Sequence, residues 1–554
     1  MTETSPADLR TAAQTHLRAG RFDQASEAYR ALVEAEPNAP DLRYGLGAAL
    51  AAAGDEAGAA DAWSTARVFH GLALLRELGI DMDRFAADPD FAAETGRGLA
   101  AAGLPGVAAA ALARAIEALG PQAQLLADYA VCLLHQGAQE EACEILGLAD
   151  QADTAALTPL MLAAYGFADD GGLRRSLLAR QSAGEIEMRC APIASPFPAA
   201  PDGRVLKIGY VAGGAPFDER YLAVIANHDP AVAAPVLIVE SPEAAPQGFA
   251  VQSIGGLSDG DAARAIAAMG LDVLVDLSGP AGGRLGIFAR RPAPVQVAWN
   301  GDYATTGLTR LDAKLLPRGG AEFDSGLLFS EPLVEMGPVL APWRLVEIAE
   351  RSSGRLTIGA FMAPALMTGP VIAALAKIAA YKPDARLMLK HPVMDDPVIQ
   401  RVLAAKFLSC GLPRERLDFR GMAGDDLDVM DFESVDLAID SRPSMGEAQI
   451  LTLLGHGVPV LCAGDPTTQG RLAVAPLMAL GLRELAVNNL DQLVERAMQL
   501  CDQPDRLAAI RGRIEAAFTD SAYGDVRGIA AQLQAVLTRI VAAKAAPFGK
   551  FAKA

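Results

Sequence analysis

The chain has 554 residues, well beyond the roughly 250–300 at which a single hydrophobic core stops growing, so several domains are expected. Hydrophobic residues make up 51% but aromatic ones only 5%; the apolar content is mostly alanine and leucine, which suits close-packed helices. Asp and Glu number 67 against 48 Lys and Arg, and a net charge of −19 repels a phosphate backbone and an anionic leaflet alike, which excludes nucleic acid and membrane surfaces as partners.

The opening residues, MTETSPADLR, have neither the basic start nor the apolar stretch of a signal peptide, and no apolar run of about 18 residues offers a membrane span. The expectation is a cytoplasmic protein. Six cysteines (Cys132, Cys143, Cys190, Cys410, Cys462 and Cys501) stand far apart, with no C-x-x-C pair and no histidine at zinc-finger distance, and read as buried thiols outside any disulfide. No metal ligand set and no cofactor are expected.

A period of 34 residues runs through the first part of the chain. Gly20, Ala25 and Tyr29 recur as Gly54, Ala59 and Trp63, and Gly103, Ala108 and Leu112 recur as Gly137, Ala142 and Leu146. This is the period of tetratricopeptide repeats: a helix hairpin per repeat, glycine in the turn, a small alanine where the helices approach, and a large residue filling the space between neighbours. Residues 6–188 are therefore read as a helical solenoid whose concave groove takes a protein client. The proline-rich stretch 189–204 cannot continue a helix and marks a junction.

From Val205 onward short β-rich runs alternate with helical stretches: VLKIGYVA, APVLIVE, DVLVDLS and QVAWNG, then LTIGAF, ARLMLKH, LDFRG, VDLAIDS and PVLCAG. That order predicts two parallel-sheet, Rossmann-like lobes, over 205–345 and 355–540. Ligands in such sheets sit beyond the carboxyl ends of the strands, so the loops after Ala212, Leu277, Gly301, Phe361, Gly421, Asp440 and Gly464 are where a site is expected. No G-x-G-x-x-G and no G-x-x-x-x-G-K-[ST] follows these strands, which counts against dinucleotide dehydrogenases and P-loop NTPases.

Residues 290–307, RRPAPVQVAWNGDYATTG, describe a strand entering a Gly/Thr loop. Together with IGYVAGG, LDVLVDLSG and VDLAIDSRPSMGEAQILTLLGHGVPVLCAGD, in that order, they resemble the O-GlcNAc transferase family from about Lys207 to Leu485. The resemblance implies an α-helical tetratricopeptide-repeat solenoid followed by an α/β GT-B architecture of two Rossmann-like lobes, the first for the acceptor and the second for the donor. It also implies an inverting protein O-glycosyltransferase that moves a sugar from a nucleotide-sugar onto Ser or Thr of a client held by the repeats. Some bacterial relatives with short repeat arms are associated with flagellin modification.

Set against that family, several positions depart from the pattern. Leu366, in FMAPALMT, stands where relatives place a lysine on the leaving phosphate. GDDLDVMD at 424–431 supplies Asp425, Asp426, Asp428 and Asp431 where relatives have polar and basic residues. After Asp440, Met445, Gly446, Glu447, Ala448 and Gln449 replace an N-G-[HG]-T-T helix start, and Glu447 falls at the positive end of that helix. The histidine often discussed for the family falls at Asp218. What the resemblance leaves is Asp218 or Glu447 as base; Arg471, Lys390, Gly446 and Asp440 on the donor and its phosphate; and Gln296, Gly301, Thr305 and Thr306 on the acceptor side. His391 accompanies Lys390 at a strand end, and His456 is expected to be structural. The alternative is a non-catalytic scaffold that keeps the fold and binds a partner through its repeats.

Overall fold

The computed structural model describes residues 6–150, 161–162, 171–193, 203–213, 217–241, 246–279, 284–300, 304–320, 328–343, 345, 354–421, 431–464 and 468–545. The repeat period becomes paired helices: Pro6–Arg18 with Phe22–Ala35, Pro40–Ala52 with Glu56–Glu77, Pro89–Ala101 with Pro105–Leu119, and Ala123–His135 with Gln139–Asp150. The four repeating glycines have φ of +72, +87, +83 and +68°, a turn conformation that a side chain disfavours. The four repeating alanines are buried, as are Tyr29, Leu112 and Leu146, while Trp63 is half-buried. The stretch between the second and third pairs, irregular in sequence, is taken up by a short helix, Met82–Ala87, capped by Asp81.

Two wholly parallel sheets follow. The first contains β1 (Leu206–Val211), β2 (Ala233–Val239), β3 (Ala250–Ser253), β4 (Val273–Asp276), β5 (Val295–Ala298), β6 (Ala313–Pro317) and β7 (Leu333–Gly337) in the order β3-β2-β1-β4-β5-β6-β7. The second contains β8 (Thr357–Ala360), β9 (Arg386–Lys390), β10 (Leu417–Arg420), β11 (Leu437–Asp440), β12 (Val460–Ala463) and β13 (Ala486–Val487) in the order β10-β9-β8-β11-β12-β13. Strand order reverses between β1 and β4 and again between β8 and β11. Those two switch points are where such sheets open a ligand crevice.

Packing moves two helices across the boundaries drawn from sequence. Gly171–Arg189 belongs with the first lobe: Ala183, Ile186 and Cys190 join the cluster of Ile266, Phe288 and Leu308. Glu187 accepts the backbone N–H groups of Thr309 and Arg310, each at 3.0 Å. The last described helix, Val526–Ala545, follows the second sheet in sequence yet returns to the first lobe, where Gln534 donates to the Asp229 carbonyl (3.2 Å) and Lys544 pairs with Asp312 (2.6 Å). Of the cysteines, Cys132, Cys190, Cys462 and Cys501 are buried as expected, whereas Cys410 is exposed and Cys143 half-buried; among the described residues none forms a disulfide.

The arm is fastened to the second lobe through the helix Pro397–Ser409. Its Val398, Val402 and Ala405 enter the same cluster as Val107, Leu112 and Cys132 of the arm. Asp396, fully buried, caps two helices at once. One oxygen accepts Val398 N (2.8 Å) and Ile399 N (3.3 Å) of its own helix; the other accepts Gly106 N (2.7 Å) and Val107 N (3.3 Å) at the start of Pro105–Leu119. A Cβ on Gly106 would come within 2.6 Å of this carboxylate. Arg401 and Asp41 add an exposed pair at 3.0 Å, worth little alone. Asp396→Ala removes two caps and strands a buried N–H, so it should weaken the joint by about 2–4 kcal/mol. Limited proteolysis and small-angle scattering should show an arm that swings away from the lobe while the two sheets stay folded.

Candidate functional site

The carboxyl ends of the two sheets face each other. Arg220, in the helix Glu219–Ala226 that follows β1, feels the charge of Glu447, in the helix Glu447–Gly455 that follows β11. Between them Tyr523 donates its hydroxyl to Glu447 Oε1 (2.9 Å), and Trp343, in the interlobe connection, donates its backbone N–H to the Tyr523 carbonyl (3.1 Å). The Arg220 guanidinium lies 4.6 Å from the Trp343 ring centre. This knot of Arg220, Trp343, Tyr523 and Glu447 spans the crevice, and only Glu447 of the four was anticipated from sequence.

An aspartate closes the central strand on each side of the crevice. Asp276, the last residue of β4, accepts Ser278 N (3.0 Å), Ser278 Oγ (2.9 Å) and Gly279 N (3.1 Å); burial raises its carboxyl against those bonds and the nearby Lys314. Asp440, the last residue of β11, accepts Ser444 Oγ (2.7 Å) and Met445 N (2.8 Å), and burial pushes its carboxyl up to about 7 against those bonds. Asp440 thus shapes the turn 441–446, which includes a cis Arg442–Pro443 bond and delivers Gly446, at φ +94°, as the cap of the helix beginning at Glu447.

The other sequence candidates fall into three groups. Asp218 is the N-cap of the helix Glu219–Ala226, accepting Arg220 N at 2.9 Å, and both its oxygens bind the Arg220 side chain. Burial would raise its carboxyl, but those bonds win and hold it below the usual range. Thr305 and Thr306 are buried and turn inward onto Glu331: Thr305 Oγ1 donates to it at 2.6 Å, Thr306 N at 2.7 Å, and the Thr306 hydroxyl donates as well. Gln296, buried in β5, donates to the carbonyls of Phe288 (2.9 Å) and Arg310 (3.0 Å). These three, expected on the acceptor side, are buried and shape the loop after β5 from behind; their polar groups do not line open space.

Lys390 and His391 end β9, as expected, but the lysine is engaged: its Nζ donates to Asp431 Oδ2 (2.8 Å) and to the Gly421 carbonyl (3.3 Å). Burial, with His135 nearby, pushes His391 down to about 4. His456 stacks on Phe432 at 4.6 Å between ring centres. Leu366 is buried in the core of the second lobe. Gly301, Asp425, Asp426 and Asp428 lie outside the described residues; Arg471 falls in the helix Thr468–Ala479, its side chain likewise outside. No group of three or more His, Cys, Asp or Glu able to hold a metal occurs among the described residues, and none of their helices is long and apolar enough to cross a membrane.

Known proteins share this plan. The tetratricopeptide-repeat profile matches residues 10–66, and that of glycosyl transferase family 41 matches 251–336 and 368–533, on both sheets. The two-lobed region is thus similar to glycosyl transferase family 41 over those residues. The probable UDP-N-acetylglucosamine--peptide N-acetylglucosaminyltransferase SPINDLY of Solanum lycopersicum is 31% identical over 257 residues, which is 44% of this chain and 27% of that protein. A UDP-N-acetylglucosamine--peptide N-acetylglucosaminyltransferase of Caenorhabditis elegans is 25% identical over 140 residues, 25% of this chain and 12% of its own length. The chain thus spans about a quarter, or less, of the length of these curated relatives. Among solved structures, a mutant of the Thermobaculum terrenum O-GlcNAc transferase superposes with a TM-score of 0.74 at 23% identity, covering 98% of each chain, which fixes the fold from the repeats through both lobes.

The second lobe carries its own pH test. Because the Asp440 carboxyl is raised when folded, the folded chain holds a proton there that the unfolded chain releases near its ordinary pKa of about 3.9. Its contribution to stability is therefore greatest at low pH and is lost as pH rises through about 7. Between pH 5 and 8 the wild type should lose about 2 kcal/mol relative to Asp440→Asn, read from urea unfolding at each pH.

Proposed function

We propose that this protein is an O-glycosyltransferase acting on protein: a nucleotide-sugar binds at the β8/β11 switch point, a Ser or Thr hydroxyl of the client enters from the β1/β4 side, and inversion at the anomeric carbon joins them. The observation that carries this reading is the family-41 match across both lobes, with a repeat arm fixed to the donor side. Arg471 and the N–H groups that follow Gly446 are proposed for the departing phosphate. Of the two candidate carboxylates we assign the hydroxyl proton to Glu447, because Asp218 already has both oxygens on Arg220. The client lies along the repeats, with a flagellin the first to try, and the reaction belongs in the cytoplasm.

Leu366 and Lys390 favour a second reading, a scaffold that binds a partner without turnover. The one is apolar and packed in the core, and the other is already neutralised by Asp431. Titration calorimetry with UDP-, GDP- and CMP-sugars separates the two. The enzyme reading expects saturable heat with one nucleotide class and, by intact-mass transfer assay on a flagellin and a Ser/Thr peptide library, a loss of more than 100-fold in Glu447→Gln with nucleotide affinity retained. Asp218→Asn should cost under 10-fold. Silence across the panel at millimolar ligand rejects the enzyme in favour of the scaffold.

A further inference from the structure

The last described repeat does more than continue the solenoid. Its turn, at Gly137, and the helix Gln139–Asp150 press on the crevice loop Phe361–Thr368, which joins β8 to the helix Gly369–Tyr381. Gln139 Nε2 donates to the Ala365 carbonyl at 2.5 Å. Gly137 sits so close to the loop that a Cβ there would lie 2.9 Å from the Pro364 carbonyl oxygen. Behind it Lys406, from the lobe itself, donates Nζ to the Gly137 carbonyl at 2.7 Å, with burial pushing that ammonium down to about 8. Ala365 packs into the arm's own cluster, with Leu126, Leu133 and Leu146. His135, at the end of the preceding helix, faces His391 beyond β9 with ring centres 6.3 Å apart. The arm therefore backs two neighbouring crevice loops.

The loop's side chains Phe361, Met362, Leu366 and Met367 are buried in the second lobe's core, but its own hydrogen bonding is thin. Its internal backbone bonds run from Leu366 N to the Ala363 carbonyl (2.9 Å), from Met367 N to the Pro364 carbonyl (3.0 Å) and from Thr368 N to the Leu366 carbonyl (3.0 Å), all within one short 3-10 turn and its end. In FMAPALMT the only polar side chain is Thr368, whose hydroxyl is enclosed and without a hydrogen-bond partner although it stands at the N-cap of the next helix. Apolar burial holds these side chains without direction, so the register of the backbone on the arm side depends on the bonds that the arm and Lys406 supply.

We propose that Gln139 and Lys406 are positioning residues: through the Gly137 turn they clamp the loop Phe361–Thr368, so the arm is a working wall of the donor crevice as well as a client groove. This rests on the reading of that crevice as a nucleotide-sugar site. A client that shifts the last repeat then alters the donor loop through two hydrogen bonds and one close backbone contact.

Hydrogen exchange and calorimetry on the full chain test it. In Gln139→Ala, and independently in Lys406→Met, which keeps the aliphatic stem, the Leu366, Met367 and Thr368 amides should exchange at least 10-fold faster while those of the first three helix pairs do not change. The nucleotide class bound by the wild type should bind about 10-fold more weakly in both. Unchanged exchange in both variants overturns the clamp whatever the ligand data say, and a loosened loop with unchanged affinity overturns its positioning role. A loosened loop in a protein whose wild type binds no nucleotide keeps the clamp and removes the donor reading instead.

Discussion

A single buried carboxylate, Asp396, decides how this molecule is put together. Helix starts leave N–H groups that need acceptors, and burial makes an unmet one costly. Asp396 meets that demand for two helices from different parts of the chain, one in the arm and one in the second lobe, separated by some 290 positions. Neither helix could be rotated or slid by a turn without stranding donors. The apolar contact of Val398, Val402 and Ala405 with the arm supplies the larger share of the free energy, but such contact is non-directional; the double cap sets the register. Everything that the arm does at the crevice depends on that register.

The same device recurs at smaller scale. Asp276, Asp440, Asp218 and Glu331 each bind the backbone or the hydroxyls of the loop they stand beside, so the crevice is lined by loops that acidic side chains have already folded. A buried carboxylate raised in pKa, as at Asp276 and Asp440, is often taken as a sign of catalysis. Here geometry gives the plainer account: two to four donors from within five residues, at the strand end where a turn must form. Glu447 differs in being met from afar, by a tyrosine 76 residues on, at the point where the lobes meet.

The contrast between legible and hidden features follows from range. The repeat arm could be read because its Gly/Ala/large triplet is local and each position has one physical task. The strands with continuous β-branched or leucine runs could be read as well. β6 was missed because Lys314 interrupts its run; in the fold that lysine is fully buried with its Nζ on Asn300 Oδ1 (2.9 Å). β3, AVQS, is a short and half-exposed edge, and β13 has two residues. At the site, what Asp218, Thr305 and Thr306 do turns on partners: Arg220 for the first and Glu331 for the two threonines. Arg220 lies only two positions from Asp218, yet was not among the residues expected at the site. Glu331 is 25 residues beyond Thr306, and nothing in a single sequence ties the two together.

On the proposed reading, charge sets what the second lobe's crevice can accept. Relatives are said by the resemblance to meet a diphosphate with a lysine after the first donor-lobe strand; here that strand is followed by a loop of apolar residues held from the arm, and the cation after β9 is paired with Asp431. On the proposed reading a departing phosphate is stabilised by the dipoles of the N–H groups after Gly446, with Arg471 as the proposed full charge. Dipoles fixed in place act without reorganisation, but their strength depends on alignment to within a few tenths of an ångström, whereas a flexible lysine can follow its ligand. A site built this way has more to lose from a loose loop than one built on a long cation. On that reading the bond from Gln139 to the loop, and the one from Lys406 to the Gly137 turn, stand where small displacements have the greatest effect on binding.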